Sequence, residues 1–433
     1  MEPVPVLVLA FTTAMVGLYA RRHRLAERRA EEVFRESLEA GLSEPVSLHP
    51  VIDPSLCIGC GSCVEACPEG PHVLGLVGGR AQLVDPSHCI GHGACREACP
   101  MGALELVFGT KKRGVDIPLV RPNFETNVPG IFIAGELGGM GLIRNAIEQG
   151  KKAIDAIASL DGIGRGDRAD VVIVGAGPAG FAATLAARQR GLRYVTVEQE
   201  TLGGTVAHYP RGKIVMTAPV QLPLYGKLRF RETTKERLLE LWHEAAQRAG
   251  IEIRTGERME EIARDGDGFV VRTDKGSYRT RAVLLAIGRR GTPRKLGVPG
   301  EERTKVVYRL VDPAQYRGRR VLVVGGGDSA LEAACSLADE PGTTVTLSYR
   351  GTAFGRAKPK NRRRVEEYRD AGRLEVLFES NVVTIGERDV VLDRKGESIT
   401  LPNDAVIVCA GGVLPTPLLR RLGVAVETKY GTP

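Results

Sequence analysis

Apolar residues fall along this chain in short runs with little polar interruption. Val171–Val174, Tyr194–Val197, Val321–Val324, Thr344–Tyr349 and the stretch Asp404–Gly412 are of this kind. Such runs read as strands buried on both faces, as in a parallel sheet. Phe181–Gln189 and Ser329–Leu337 follow two of them with helical patterning. Thr126–Ala134 is a further strand, leading through a Gly-rich turn to a helix over Leu142–Ile157. Strands alternating with helices predict an α/β fold.

The N-terminal pattern differs. Val4–Ala20 is nearly all apolar and is followed by Arg21, Arg22, His23 and Arg24. Seventeen helical residues span roughly 25 Å, slightly less than the ~30 Å hydrocarbon core, and the arginines can snorkel. The stretch is expected to be a transmembrane helix (residues 1–24), with a docked soluble helix as the alternative. A cleaved signal peptide fits poorly, because no basic n-region precedes the run. The positive flank is on the C-terminal side, which predicts a single-pass inner-membrane protein with its bulk facing the cytoplasm. Residues 25–50 then read as a solvated helical stalk and linker.

Two glycine signatures punctuate the α/β part. Gly175, Gly177 and Gly180 have G-x-G-x-x-G spacing between a strand and a helix, with Pro178 and Ala179 as further cofactor-binding candidates within the motif. Glu198 ends the next strand, 18 residues beyond Gly180. The glycines allow a tight turn, approach to a pyrophosphate and close helix–strand packing, and the acid holds ribose hydroxyls. The second signature, 150 residues later, is Gly325, Gly327 and Ala330, with Asp328 and Ser329 between. Its following strand ends in Arg350 rather than an acid, with Arg356, Lys358 and Arg362–Arg364 beyond. An arginine there suits a 2′-phosphate, so NADPH is favoured over NADH. Arg362–Arg364 also fits a solvated basic face. Two Rossmann-type domains are therefore expected.

Composition changes this picture in one place. The 433 residues carry a net charge of +8, but the basic residues are dispersed and aromatics make up only 5%, so nucleic acid is not expected. Seven of nine cysteines lie between Cys57 and Cys99, which is metal-site clustering rather than a disulfide framework. Cys57-x2-Cys60-x2-Cys63-x3-Cys67-Pro68 has the spacing of an iron–sulfur loop. A structural zinc site is the alternative. The pattern repeats at an offset of 32, with Cys89, Cys95, Cys99 and Pro100, but His92 stands where a cysteine is due.

Residues 51–107 resemble the two-cluster 4Fe-4S bacterial-type ferredoxins. The resemblance implies one cluster on Cys57, Cys60, Cys63 and Cys99. The other would use Cys67, Cys89, Cys95 and position 92. His92 then ligates iron, or the second cluster has three irons, or it is absent and His92 is a surface residue. One or two 4Fe-4S clusters are expected. His88 is out of register and reads as solvated.

Residues 170–433 resemble the thioredoxin-reductase-like flavoproteins, which implies FAD at the first glycine signature and a nicotinamide nucleotide at the second. Gly204, in Gly203-Gly204-Thr205, and Gly288, in Ala286-Ile287-Gly288, match FAD-contacting positions. Gly135-Glu136 resembles the family's closing Gly-Asp segment, which touches FAD ribitol and pyrophosphate, with Glu in place of Asp. The family puts that segment at the C-terminus, whereas here it precedes the first signature. A circular permutation is expected, with residues 108–165 as the displaced segment, 166–290 the FAD domain, 291–412 the NAD(P) domain and 413–433 a return to the FAD domain. It requires Gly130–Gly135 to share a sheet with Val171–Gly175, and the C-terminus to lie near residues 107–120. A truncated chain with a partial extra copy is the rival.

The family's flavin-side cysteine pair is replaced by Val206 and Arg211, residues 288–320 hold no cysteine, and Cys335 and Cys409 read as buried small hydrophobes. The insertion around His208 also resembles bacillithiol-disulfide-reductase-like flavoproteins, though His208 reads first as a surface or core residue. The expected function is a membrane-tethered NAD(P)H oxidoreductase moving electrons between nicotinamide, FAD and clusters to or from an unidentified protein or small-molecule acceptor. It needs no general acid or base, so no catalytic side chain is named. A flavin disulfide reductase with structural clusters and a non-turnover redox sensor are the alternatives. Homodimerisation is left open.

Overall fold

The computed structural model describes residues 4–39, 45, 48–89, 91–111, 114–139, 141–209, 214–216, 219–229, 232–289, 292–355 and 357–431. Its first element is a single 36-residue helix, α1 (Val4–Glu39). Arg21–Arg24 do not end it, because arginine is nearly as good a helix former as leucine. This corrects two expectations. Among the described residues no helix is long and apolar enough to cross a membrane, so the transmembrane helix over 1–24 is unsupported. From Phe11 only ten residues precede Arg21, and Phe11, Met15, Val16, Leu18 and Tyr19 are exposed. Nor is the following stretch a solvated stalk. Ala30 and Ser37 are buried, and the Glu27 carboxylate accepts the Gly79 amide at 2.8 Å. A side chain on Gly75 would meet the Ala30 methyl at 2.5 Å. The second half of α1 is thus packed on the cysteine module.

That module pairs His49–Ile52 antiparallel with Leu104–Val107 and Leu74–Val77 with Arg80–Leu83. Two one-turn helices, Ser62–Glu65 and Ala94–Glu97, repeat at the sequence offset of 32. Each starts from a left-handed glycine, Gly61 (φ 78°) and Gly93 (φ 84°).

After the module come β1 (Val115–Pro118), β2 (Ile131–Ile133) and α2 (Ile143–Ala158). The first glycine signature lies between β3 (Ala169–Val174) and α3 (Pro178–Gln189), and β4 (Tyr194–Glu198) follows. With β5 (Ser277–Leu285) these build a seven-stranded sheet. Its order is Arg254–Thr255, β4, β3, β5, Gly268–Thr273, Met259–Asp265, with β2 also on β5. β2, β3, β4 and β5 are parallel. Helix α2 lies flush on α3, since a side chain on Gly150 would collide with the Ala179 carbonyl. Both pairings a permuted chain requires are present. Ile131–Ile133 joins the sheet that holds β3. The C-terminal strand β9 (Val426–Lys429) pairs antiparallel with β1, and the Gly431 amide donates to the Phe108 carbonyl at 2.8 Å.

The second parallel sheet has five strands in the order Val306–Val307, β8, β6, β7, Glu375–Phe378. Here β6 is Arg320–Val324, β7 is Thr344–Tyr349 and β8 is Ala405–Val408. Helices α4 (Asp328–Ala338) and α5 (Pro359–Asp370) cover it. Leu331, Ala334 and Leu337 from α4 pack with Val321, Val323, Leu347 and Ile407 from the strands. The α/β expectation with two Rossmann-type sheets therefore holds.

Candidate functional site

At the first signature β3 ends in Val174 and the backbone turns at Gly175 (φ 102°), where a Cβ would lie 2.6 Å from the Ala286 carbonyl oxygen. A Cβ on Gly180 would collide with the Gly175 carbonyl. Gly177 caps α3, and Pro178 and Ala179 form its first turn. The helix N-terminus thus presents free amides beside a bare backbone, which suits a pyrophosphate. Glu198 is buried, and its carboxylate accepts the Ala176 amide at 2.7 Å and the Glu200 amide at 2.9 Å. Each oxygen keeps a lone pair for a ribose hydroxyl. Gly204 approaches so closely that its Cβ would sit 3.1 Å from the Gly177 Cα.

The displaced segment reaches the same place. Gly135 lies against Ala179, and its amide donates to Gln149 Oε1 at 2.8 Å. Glu136 follows it in the short 3-10 turn after β2. Gly288 follows β5, and beside it Arg289 donates to the Asp116 carbonyl of β1 at 3.0 Å. Burial lowers the Arg289 pKa, with Glu136 and Asp116 opposing. The residues fit FAD: β2, β3 and β5 converge on one glycine-lined turn with an acid at its edge.

The second signature is built alike. Gly325 (φ 145°) abuts the Cys409 carbonyl, and Gly327 caps α4. Ala330 fills the third slot and is buried, while Ser329 is exposed in the first turn. Asp328 also has a structural role. Its Oδ1 accepts the Lys358 amide and Asn361 Nδ2, both at 2.7 Å, so it holds the start of α5. Arg350 is exposed directly after β7, and Arg356 lies outside the described residues. Nor do the three arginines form one solvated face. Arg363 is exposed, Arg364 pairs with Asp339 at 2.7 Å, and Arg362 is buried. The burial of Arg362 has a tertiary cause: its guanidinium reaches Ser87 of the cysteine module.

Within that module a small cavity is lined by Cys57, Cys60, Cys63 and Cys99. Amides of Ala81 and Ala103 donate to the Cys57 and Cys99 sulfurs at 3.4 and 3.3 Å. Cys60 is exposed, whereas Cys63 and Cys95 are buried. Burial pushes the Cys89 thiol up to about 11, with Cys95, Cys67 and Glu69 as charged neighbours. Thiols so placed ionise only onto a positive centre. Among the described residues no group of three or more His, Cys, Asp or Glu could hold a metal ion. The four thiols around the Cys57–Cys99 cavity suit a cluster, which takes one thiolate on each iron. The Glu69 carboxylate lies 4.0 Å from His92 Nε2. Burial lowers the His92 pKa, so the ring is neutral at pH 7 and keeps a nitrogen lone pair. His88 is not solvated: its Nδ1 lies 2.8 Å from Asp85 Oδ2.

A charged cluster missed in the sequence joins the two sheets. Arg309 donates to both Glu200 oxygens at 2.8 and 3.1 Å and lies 2.7 Å from His208 Nδ1. Cys335 is buried, and Cys409 is partly buried against the same core. Val206 is buried beside the first signature, and Arg211 lies outside the described residues.

Comparison with known proteins agrees with this geometry. The family described as pyridine nucleotide-disulphide oxidoreductase matches residues 172–433, more than half of the chain. The chain belongs to that family. A 4Fe-4S dicluster domain matches residues 49–100. The ferredoxin–NADP reductase of Thermus thermophilus is 35% identical over 274 residues, covering 60% of this chain and 78% of that protein. Bacilliredoxin reductase Bdr of Bacillus subtilis is 28% identical over 270 residues, covering 60% and 82%. The solved bacillithiol disulfide reductase Bdr (YpdA) from Bacillus cereus superposes with a TM-score of 0.54 at 25% identity, covering 60% and 83%. Family membership makes the protein an FAD-dependent NAD(P)H oxidoreductase with a 4Fe-4S module.

Proposed function

We propose that the enzyme moves electrons between NADPH and its clusters through FAD, and exchanges them with a separate one-electron carrier. The observation that carries this reading is the absence of a dithiol route together with a cysteine module on the same chain. Val206 stands at a flavin-side cysteine position, and Cys335 and Cys409 belong to the core of the NAD(P) sheet. The ferredoxin–NADP reductases among the relatives support the same reading.

Bound FAD exchanges a hydride with nicotinamide and single electrons with iron–sulfur centres. The chain supplies position. The amides at the start of α3 would hold the FAD pyrophosphate and the Glu198 carboxylate its ribose, with Gly135-Glu136 brought to the same turn from β2. Arg350 recognises the 2′-phosphate, which makes NADPH the preferred nucleotide. His92, with Glu69 beside it, would supply the fourth ligand of a second cluster.

Anaerobic reduction of the holoenzyme with NADPH tests the reading. Optical bleaching reports flavin and EPR reports the clusters. Bleaching followed by a cluster signal at a competent rate supports it. Flavin that bleaches while clusters reducible by dithionite stay silent overturns it in favour of disulfide reduction.

A further inference from the structure

The contact between the cysteine module and the NAD(P) domain is polar, buried and specific. Arg362 sits in the first turn of α5, and its side chain and that of Asp85 are only 10% and 11% exposed, with the ion pair spanning 4.0 Å. Both terminal guanidinium nitrogens lie 3.2 Å from Ser87 Oγ, and Nη1 also donates to the Ala357 carbonyl at 2.7 Å. Asp85 in turn accepts from the Ser87 hydroxyl, accepts the Ser87 amide at 2.9 Å and meets His88 at 2.8 Å. A buried guanidinium costs several kcal/mol to desolvate and is tolerated only where partners take up its donors.

The two ends of this contact matter. On one side, Pro86–His88 form a single 3-10 turn capped by Asp85, and the Cys89 amide donates to the Pro86 carbonyl at 3.2 Å. Whatever holds Asp85 and Ser87 therefore sets where Cys89 stands. On the other, α5 is pinned to the nucleotide-side helix α4 by Asp328, through the Lys358 amide and Asn361. One continuous set of hydrogen bonds thus runs from the second glycine signature to the second cysteine loop. In the first cysteine loop, by contrast, Cys60 is exposed.

We propose that Arg362 is a positioning residue: it fixes the Cys89 loop, and with it the second cluster, against the NAD(P) domain. The inference rests on the electron-transfer reading for its consequence, but not for its geometry.

Holoenzyme carrying Arg362→Ala, Arg362→Lys or, as control, Arg363→Ala is compared with wild type by two readouts. Hydrogen exchange at the Ser87–Cys89 amides reports the contact itself. It is expected to quicken about tenfold in Arg362→Ala, recover partly in Arg362→Lys and stay unchanged in Arg363→Ala. Stopped-flow reduction with NADPH reports its consequence: flavin bleaching keeps its rate while cluster reduction slows about tenfold in Arg362→Ala. Unchanged exchange overturns the proposal. So does slower flavin bleaching with unchanged exchange, which would put Arg362 in the nucleotide site. If wild-type clusters take no electrons from NADPH, the function proposed above fails, while the exchange result still decides the contact.

Discussion

The two glycine turns follow one plan and differ in their third slot and in the side chain that ends the next strand. At the first, the third glycine has no room for a methyl, since the Cβ would strike the Gly175 carbonyl. At the second, that slot already carries Ala330. The strand after the first ends in Glu198, locked by two backbone amides, and the strand after the second ends in exposed Arg350. Even the bases of the two sheets differ. Asp170, at the start of the first, is 4% exposed and binds Arg193 at 3.0 Å, while Asp404, before β8, is 34% exposed and binds Arg320 at 2.7 Å. A carboxylate locked by backbone amides suits a cofactor that stays, and an exposed arginine suits a nucleotide that must leave each turnover.

Substitutions can break or sharpen that contrast. Gly180→Ala has the largest expected effect: overpacking costs about 3 kcal/mol and the protein purifies without flavin, read from its visible spectrum. Asp170→Asn comes next, at about 2 kcal/mol in urea unfolding at neutral pH. The burial of Asp170 raises its pKa, but hydrogen bonds from Arg193 and the Gly164 amide outweigh this and hold it below the usual range. A depressed folded pKa gives stability that is fully present above the unfolded value, about 3.9, and lost as pH falls through the folded value. The gap between wild type and Asp170→Asn should therefore close in acid. Arg350→Ser should raise the KM for NADPH about tenfold and leave that for NADH unchanged, in steady-state assays. Ala330→Gly should cost only about 1 kcal/mol, from helix propensity, and keep nucleotide binding. Asp404→Asn should cost less than about 1 kcal/mol, because its partnership with Arg320 is open to water. Equal effects at Gly180 and Ala330, or at Asp170 and Asp404, would erase the contrast.

What could be read from the sequence was whatever repeats or has fixed spacing. Both glycine turns, the cysteine repeat and the out-of-place Gly135-Glu136 are local patterns, and the last led to two strand pairings that the fold contains. Residues whose roles depend on distant partners gave no such signal. Arg362 and Arg364 stand two apart in one basic run, yet one is buried against Ser87 and the other pairs with Asp339. Asp328 stands in the expected nucleotide position, but its bond to α5 was not legible, because Asn361 comes close only when the helix packs. Glu200 and Arg309, 109 residues apart, carry no pattern at all. For α1, hydropathy reported an apolar half but not that its charged half had the cysteine module to rest on.

The pairing of β9 with β1 has a consequence for the order of events during synthesis. Thr428 bonds Asp116 across a separation of 312 residues. The cysteine module has all of its strands once residue 107 has left the ribosome. Strand β1, by contrast, finds its partner only once residues 426–429 have been made. With N-terminal units folding first as the chain emerges, iron can be loaded long before flavin has a finished site to enter.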